Sequence, residues 1–434
     1  MSPVAIGAVG IGVMILLLFL EVHVGVAMGL VGLVGFAYLS NMEQGLSLLG
    51  MLTYANMASY DFVVLPLFVA MGTFASVSGM AQELYDAAYK WMGSLRGGLA
   101  IATVAACAGF SAVSGTSVGT AATVGAIAFP EMKKHKYNDS LATGVVAAGG
   151  TLGILIPPST IFVFYGILTE TSVGKLLIAG IIPGILLASL FILVIIVQTR
   201  RNPDLAPPAQ GASFKEKLKA LQNVWATLIL FLVVIGGLWM GIFTPTEAGG
   251  IGAFGALVLG IVKRKLNRRT LRMAIMETMK TTGMIIFMLV CAFMLNGFLA
   301  ISRLPVELAN ILAGLSVNRY LVFLGIVVIY FIFGCLMDAF AMLILTIPIF
   351  FPLMTTLGFD PIWFGVIVVI MMEQALITPP VGLNVFVIKG MAKDVPILTI
   401  FRGIYPFWVA MMLCVAILTV FPQIALFLGS LGIM

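Results

Sequence analysis

Two Pro-Pro steps, Pro157-Pro158 and Pro379-Pro380, each interrupt a long apolar segment. Proline has no N–H and its ring clashes with the carbonyl four residues back, so a double proline breaks a helix and frees main-chain carbonyls. In a lipid interior, which holds no water, these carbonyls need other partners. A sodium ion is one, because hard cations take oxygen ligands. The alternative is a structural kink whose carbonyls are satisfied by Ser, Thr or water.

A group of hydroxyl side chains lies upstream of the first step, at Ser111, Ser114, Thr116, Ser117 and Thr120. A helix that begins near Gly115 would point its free N–H groups at this group, and a helix N-terminus favours an anion. Some of these hydroxyls are expected only to bond back to their own helix. We predict that an anionic substrate contacts the following residues: Ser114, Gly115, Thr116, Ser117 and Asp338.

Asp338 follows Gly334-Cys335-Leu336-Met337 deep in a second apolar segment. A carboxylate at mid-membrane depth is costly and is a functional candidate by default. We expect it either to act on an ion or a gate, or to hold the local backbone by a hydrogen bond. Glu373 and Gln374, just before the second Pro-Pro step, are further candidates.

The composition indicates a membrane protein. Of 434 residues, 61% are apolar and 9% are charged, whereas soluble domains carry about 25% charged residues. The charges are clumped, and the apolar runs between them can cross a hydrocarbon core about 30 Å thick. A lipid bilayer is therefore the expected surrounding. The net charge of +6 is interpreted as a topology signal and not as a nucleic-acid-binding surface.

These runs predict an all-α membrane protein with two halves, 1–199 and 225–434, joined by a cytoplasmic linker at 200–224. The first half is predicted to hold spans near 4–20, 24–39, 60–79 and 176–198, an amphipathic arm at 80–91, a hairpin at 95–130 and a broken helix at 138–169. The second half is predicted to hold spans near 225–242, 247–262, 281–302 and 398–421, an arm at 303–319, a hairpin at 320–352 and a broken helix at 362–390.

Each hairpin segment is too long for one straight span, because a helix rises about 1.5 Å per residue. Each also has small or polar residues at its centre. Polar backbone cannot face lipid at mid-depth, but it can line an enclosed cavity. Each segment is therefore predicted to be re-entrant, entering and leaving on the same side of the membrane.

The two halves also repeat in sequence. The offset that relates the two Pro-Pro steps also relates Pro130-x-Met132 to Pro352-x-Met354. If each broken helix counts as one span, each half has five spans, an odd number. The second half is therefore predicted to be inverted, as in secondary transporters. With the N-terminus outside, 20 of the 23 basic residues fall inside, which the positive-inside rule favours. Hairpins that crossed the membrane fully would give the same count.

Other functional classes fit less well. A passive channel agrees with the composition, but paired broken helices favour alternating access. An intramembrane serine protease needs Ser and His at one depth, and both histidines lie at loops or span ends. An aspartyl protease needs two membrane aspartates, and Asp338 is the only deep one. We therefore expect a transporter and no enzyme.

Three stretches together resemble one family. Residues 241–249 (GIFTPTEAG), 109–117 (GFSAVSGTS) and 153–159 (GILIPPS) are similar to signatures of the large, DctM-type membrane subunits of tripartite (TRAP) transporters. The resemblance covers essentially the whole chain. It implies an elevator-type transporter of the bacterial inner membrane that uses a sodium gradient to import an organic acid, such as a C4-dicarboxylate or sialic acid.

The resemblance also implies partners and ligands. The partners are a small four-helix membrane subunit and a periplasmic binding protein that delivers the substrate. Two Na⁺ sites are implied, the first at Ser111, Ser114, Gly153, Ile156 and Pro158, and the second at Gly334, Met337, Ala375, Thr378 and Val381. The alternative is a stand-alone sodium- or proton-coupled carboxylate transporter or antiporter of the same architecture.

Overall fold

The computed structural model describes residues 1–20, 22–208, 211–314, 318–335, 337, 339–380 and 382–431. Within these residues all regular secondary structure is helical, so the all-α prediction is confirmed. The first half contains α1 Pro3–Phe19, α2 Val24–Leu39, α3 Met42–Ala58, α4 Val64–Val77, α5 Met80–Met92, α6 Gly98–Ser114, α7 Ser117–Lys134, α8 Asp139–Leu155, α9 Thr160–Thr169, α10 Val173–Ala179 and α11 Ile181–Arg201.

The second half contains α12 Phe214–Trp239, α13 Pro245–Val262, α14 Arg268–Ser302, α15 Leu304–Gly314, α16 Arg319–Gly334, α17 Ala339–Thr356, α18 Pro361–Ala375, α19 Leu383–Met391, α20 Ile397–Val420 and α21 Gln423–Leu431. In the described part of the chain, six segments are long and apolar enough to cross a membrane: α10 with α11, α12, α13, α14, α17 and α20. The bent pairs α4–α5 and α8–α9 bring the total to eight if each pair counts as one span. The chain is a multi-pass membrane protein.

Several boundaries differ from the sequence prediction. The prediction has no helix between 39 and 60, where α3 lies, because Glu43 and Gln44 interrupt the apolar pattern. The predicted linker 200–224 is shorter than expected. Ser213 and Glu216 form a reciprocal capping box, so α12 already begins at Phe214. Helix α21 lies beyond the last predicted span.

The same order of elements occurs twice. The C-terminal part of α14, followed by α15 to α19, repeats the order of α4 to α9. Left-handed backbone recurs at equivalent junctions: Gly79 before α5 corresponds to Arg303 before α15, and Lys136 before α8 corresponds to Gly358 before α18. The bonds Pro157-Pro158 and Pro379-Pro380 are both cis. The repetition therefore includes helix-terminating conformations that composition does not dictate.

Small residues let the helices approach closely. A Cβ atom on Gly32 of α2 would lie 2.7 Å from the Leu295 nitrogen of α14, and one on Gly144 of α8 would lie 2.4 Å from the Gly403 carbonyl carbon of α20. Such contacts are the usual basis of helix packing in lipid. Helix α8 packs against α6, α7, α11, α18 and α20. It therefore stands at the centre of the elements that carry the predicted sites.

Candidate ion- and substrate-binding site

The first hairpin consists of α6 and α7, which pack against each other. Its tip is Gly115-Thr116. Gly115 ends α6 in the left-handed region at φ 67°, a conformation that glycine adopts without a Cβ penalty. A Cβ atom at this position would also lie 3.1 Å from the Pro158 carbonyl oxygen. Position 115 therefore requires glycine for both its backbone conformation and its approach to the first Pro-Pro step.

The hairpin tip is bonded to the first helix break, the segment between α8 and α9. The Gly115 carbonyl accepts hydrogen bonds from the Thr160 hydroxyl at 3.0 Å and from the Thr160 N–H at 3.4 Å. On the other side of the tip, a Cβ atom on Gly153 would lie only 2.3 Å from the Thr116 carbonyl oxygen. The tip and the break therefore form one closely packed unit.

The structure brings the residues of the predicted first sodium site into this unit, and all five are buried: Ser111, Ser114, Gly153, Ile156 and Pro158. The Ser111 hydroxyl donates to the Cys107 carbonyl at 2.6 Å, so its lone pairs stay available. The Ser114 hydroxyl bonds the Thr120 hydroxyl at 2.9 Å. The unit is rich in hydroxyl and carbonyl oxygens, which are the ligands that hard cations take.

Four of the five predicted anion-binding residues lie on the same tip. Ser114, Gly115 and Ser117 are buried, whereas Thr116 is half-buried and Val118 is exposed. Helix α7 starts at Ser117, and its N-cap residue Thr116 makes no side-chain hydrogen bond to the first turn. Free N–H groups at a helix N-terminus attract anions. The partly exposed end of α7 is therefore suited to a carboxylate group.

The second predicted sodium site is only partly within the described residues. A Cβ atom on Gly334, at the end of α16, would lie 2.8 Å from the Ala375 Cβ at the end of α18, so the second hairpin also packs against its helix break. Met337, which follows Gly334 closely in the sequence, is buried. The Thr378 hydroxyl donates to the Gln374 carbonyl at 2.7 Å. Asp338 and Val381 lie outside the described residues.

An unpredicted residue connects the two halves. The Asn384 side-chain amide on α19 donates to the Ser117 hydroxyl at 3.0 Å and to the Ala147 carbonyl of α8 at 3.2 Å. The second broken helix thus contacts the first hairpin directly. A buried asparagine shortly after Thr378, in an apolar helix, is a signal that the sequence reasoning could have used, because such polar groups are costly in a membrane.

Glu373 and Gln374, the further candidates, are buried at the end of α18. Neither Glu373 carboxylate oxygen has a hydrogen-bond partner, and the Gln374 side-chain oxygen has none either. The described residues contain no group of three or more His, Cys, Asp or Glu side chains that could hold a metal ion. The hydroxyl and carbonyl oxygens at the breaks are ligand types of hard cations, whereas transition metals prefer nitrogen and sulfur ligands.

The sequence comparison decides the family. Residues 11–424 match the model of the tripartite ATP-independent periplasmic transporter DctM component. The chain belongs to this family. It is 37% identical to the C4-dicarboxylate TRAP transporter large permease DctM of Pseudomonas aeruginosa, over 86% of each chain. It is also 30% identical to the sialic acid TRAP transporter large permease SiaM of Vibrio cholerae, over 96% of each chain.

Other matches extend the comparison. The chain is 32% identical to the isethionate TRAP transporter permease DctMQ of Oleidesulfovibrio alaskensis, covering 95% of this chain and 65% of that longer protein. Among solved structures, the YdaH transporter of Alcanivorax borkumensis superposes with a TM-score of 0.66 at 16% identity, over 90% of each chain. That similarity concerns the fold alone. The resemblance to DctM-type TRAP subunits is thus confirmed, and the chain is a large permease subunit of this transporter class.

Proposed function

We propose that this DctM-family permease couples the entry of sodium ions to the import of an organic acid across the bacterial inner membrane. The observation that carries the proposal is the close packing of the first hairpin tip on the first helix break, at which Ser111, Ser114 and the residues of the break are all buried. A cation bound there would cross-link tip and break. It would also lie beside the N-terminus of α7, where a substrate carboxylate is favoured.

The substrate is proposed to be a carboxylate or a related organic acid. Relatives in this family carry names that refer to C4-dicarboxylates, sialic acid and isethionate, which are all anions. The half-buried Thr116 and the adjacent Ser117 supply hydroxyls at the end of α7, and Asp338 is proposed to act at the opposite hairpin. A periplasmic binding protein is proposed to select among organic acids. This protein and a small membrane subunit are proposed to complete the transporter.

The two repeats are proposed to be inverted in the membrane and to work by an elevator movement. The repeated element order and the repeated left-handed junctions support two equivalent halves, and broken helices at a repeat interface are typical of alternating-access transporters. In a cysteine-free background, single cysteines at Ser2 and Gly211 test the orientation with an impermeant reagent. Cells permeable only at the outer membrane should label position 2 and not position 211. Labelling of position 211 would contradict the inverted arrangement.

The central experiment is uptake into proteoliposomes that contain this chain, its small subunit and its binding protein. We expect accumulation of the acid when sodium is outside and loss of accumulation when potassium replaces sodium. Full uptake driven by a proton gradient alone would contradict sodium coupling. Equal uptake without the binding protein would instead favour a stand-alone carboxylate transporter.

A further inference from the structure

Glu373 is an ionisable side chain that belongs to neither of the two proposed sodium sites. It lies close to the C-terminal end of α18, its exposed fraction is 1%, and neither of its carboxylate oxygens has a hydrogen-bond partner. None of the salt bridges among the described residues includes Glu373. A bare carboxylate inside a membrane protein is costly. The ionised form of Glu373 therefore needs a counter-ion that is not a described side chain.

Two oxygen-bearing groups from other elements converge on the same place. The Ser117 hydroxyl of α7 interacts with the Glu373 carboxylate, although without a hydrogen bond of good geometry. The same hydroxyl accepts a hydrogen bond from the Asn384 side-chain nitrogen at 3.0 Å. Glu373 on α18 and Asn384 on α19 therefore meet at Ser117, and these residues come from both halves of the chain.

Two hydrogen bonds fix the orientation of the Asn384 side-chain amide and leave its oxygen without a hydrogen-bond partner. An amide group has two donor hydrogens, and the Asn384 nitrogen directs them at the Ser117 hydroxyl and at the Ala147 carbonyl. Its side-chain oxygen is buried and has no hydrogen-bond partner. Exchanging the amide oxygen and nitrogen would place an acceptor against the Ala147 carbonyl. The hydrogen bonds therefore select the orientation whose oxygen lacks a partner.

We propose that the Glu373 carboxylate, the Ser117 hydroxyl and the Asn384 side-chain oxygen bind a sodium ion, at a site separate from the two at the hairpin tips. Carboxylate, hydroxyl and amide oxygens are the ligand types of hard cations, and the carboxylate supplies the negative charge that the two carbonyl-based sites lack. The ion would satisfy the partnerless oxygens of Glu373 and Asn384. It would also hold the second broken helix against the first hairpin.

This proposal rests on the proposed function only in taking sodium as the coupling ion, and direct ion binding separates the two. The experiment is radioactive ²²Na⁺ binding to the purified full-length chain with its small subunit, without substrate or binding protein. For the wild type we expect three ions per chain. Glu373→Gln should bind one ion fewer, whereas Glu170→Gln, which alters an exposed carboxylate after α9, should bind as many as the wild type.

Two more variants remove a ligand without touching the carboxylate, in case Glu373→Gln does not fold. Ser117→Ala and Asn384→Ala should each weaken the binding of one ion at least about tenfold, equivalent to about 1.4 kcal/mol. A count of two ions that Glu373→Gln leaves unchanged, with unchanged affinities in the other variants, would overturn this site while leaving sodium coupling intact. A wild type that binds no sodium would overturn both proposals.

Discussion

The two helix breaks use the same device in different surroundings. At the first break Pro157-Pro158 is buried, and the adjacent hairpin tip is closed onto it by two hydrogen bonds between Thr160 and Gly115. At the second break Pro379-Pro380 is exposed. The oxygens without partners gather at the second break, on Glu373, Gln374 and Asn384. The repeated Pro-Pro motif is therefore buried at the first break and exposed at the second, where buried polar side chains nearby lack hydrogen-bond partners.

The close contact between hairpin and break also differs between the halves. In the first half the glycine is on the broken helix, at Gly153, and it faces a carbonyl of the hairpin tip. The offset between the two Pro-Pro steps pairs Gly153 with Ala375 in the second half, where the glycine is instead Gly334 on the hairpin. Each interface therefore has one residue without a side chain, but on opposite sides of the contact.

The largest effect is expected from closing the first contact. Gly153→Val would place a side chain 2.3 Å from the Thr116 carbonyl oxygen. Backbone cannot move aside as a flexible side chain can, so the substitution should lower the free energy of unfolding by about 1–3 kcal/mol. We expect loss of sodium-dependent uptake together with a lower thermal midpoint. The matched control is Gly12→Val in α1, where an added Cβ would meet no heavy atom within 4 Å apart from its own stretch of helix. Wild-type uptake by Gly153→Val would show that the tip does not rest on the break.

A smaller and reversible effect is expected at the second contact. Gly334→Ala would bring two methyl groups to about 2.8 Å and should lower the thermal midpoint and the uptake rate. Adding Ala375→Gly should restore both, because it moves the glycine to the broken helix, as in the first half. Residues in contact give such non-additive pairs. A double variant no better than Gly334→Ala would show that the two contacts are not equivalent.

Loss of a single hydrogen bond should have a more modest effect. Thr160→Val removes the hydroxyl that donates to the Gly115 carbonyl but keeps the Thr160 N–H bond and the shape. One such bond is worth about 1 kcal/mol. We expect half-saturating sodium for uptake to rise a few-fold. Thr143→Val, which removes only hydrogen bonds to the Asp139 and Ser140 carbonyls at the start of its own helix α8, is the control and should leave half-saturating sodium unchanged. Equal shifts in both variants would show that the Thr160–Gly115 contact has no specific part in sodium binding.

The smallest effect is expected at a surface ion pair. Lys133, in the last turn of α7, contacts Asp394 between α19 and α20. The hydrogen bond from Lys133 holds the pKa of the Asp394 carboxyl below its ordinary value. The ion pair therefore stabilises the folded protein above the ordinary pKa of Asp. This stabilisation is lost as the pH falls through the lower pKa that Asp394 has in the folded protein. Because both side chains are largely exposed, the contribution is small.

Thermal unfolding of wild type and Asp394→Asn at several pH values checks this. The wild type should have a slightly higher midpoint at neutral pH, and the difference should disappear in acid. A difference that grew on acidification would contradict the direction of the pKa shift. Lys134, whose ammonium lies 3.7 Å from Glu131 within the same helix, is a control site, because Lys134→Met should leave the pH dependence unchanged.

The sequence could predict the helical class and the family because both depend on local signals. Proline chemistry located the two breaks, and the clumping of charges located the membrane segments. Helix α3 was missed because Glu43 and Gln44 at its start interrupt the apolar pattern. The junction at Asn384 could not be derived from spacing, since Ser117 is 267 residues away. The number of oxygens without partners around Glu373 likewise depends on which helices pack there, which no local pattern specifies.

The most direct test of the account is the sodium dependence of uptake by Ser114→Ala, in proteoliposomes with both partners and at equal protein amounts. Ser114 lies where the first hairpin tip meets the first break, and its hydroxyl bonds Thr120. We predict that half-saturating sodium rises about tenfold, equivalent to about 1.4 kcal/mol, with the protein still folded. A sodium curve identical to that of the wild type would contradict the assignment of the first sodium site to this hairpin and break.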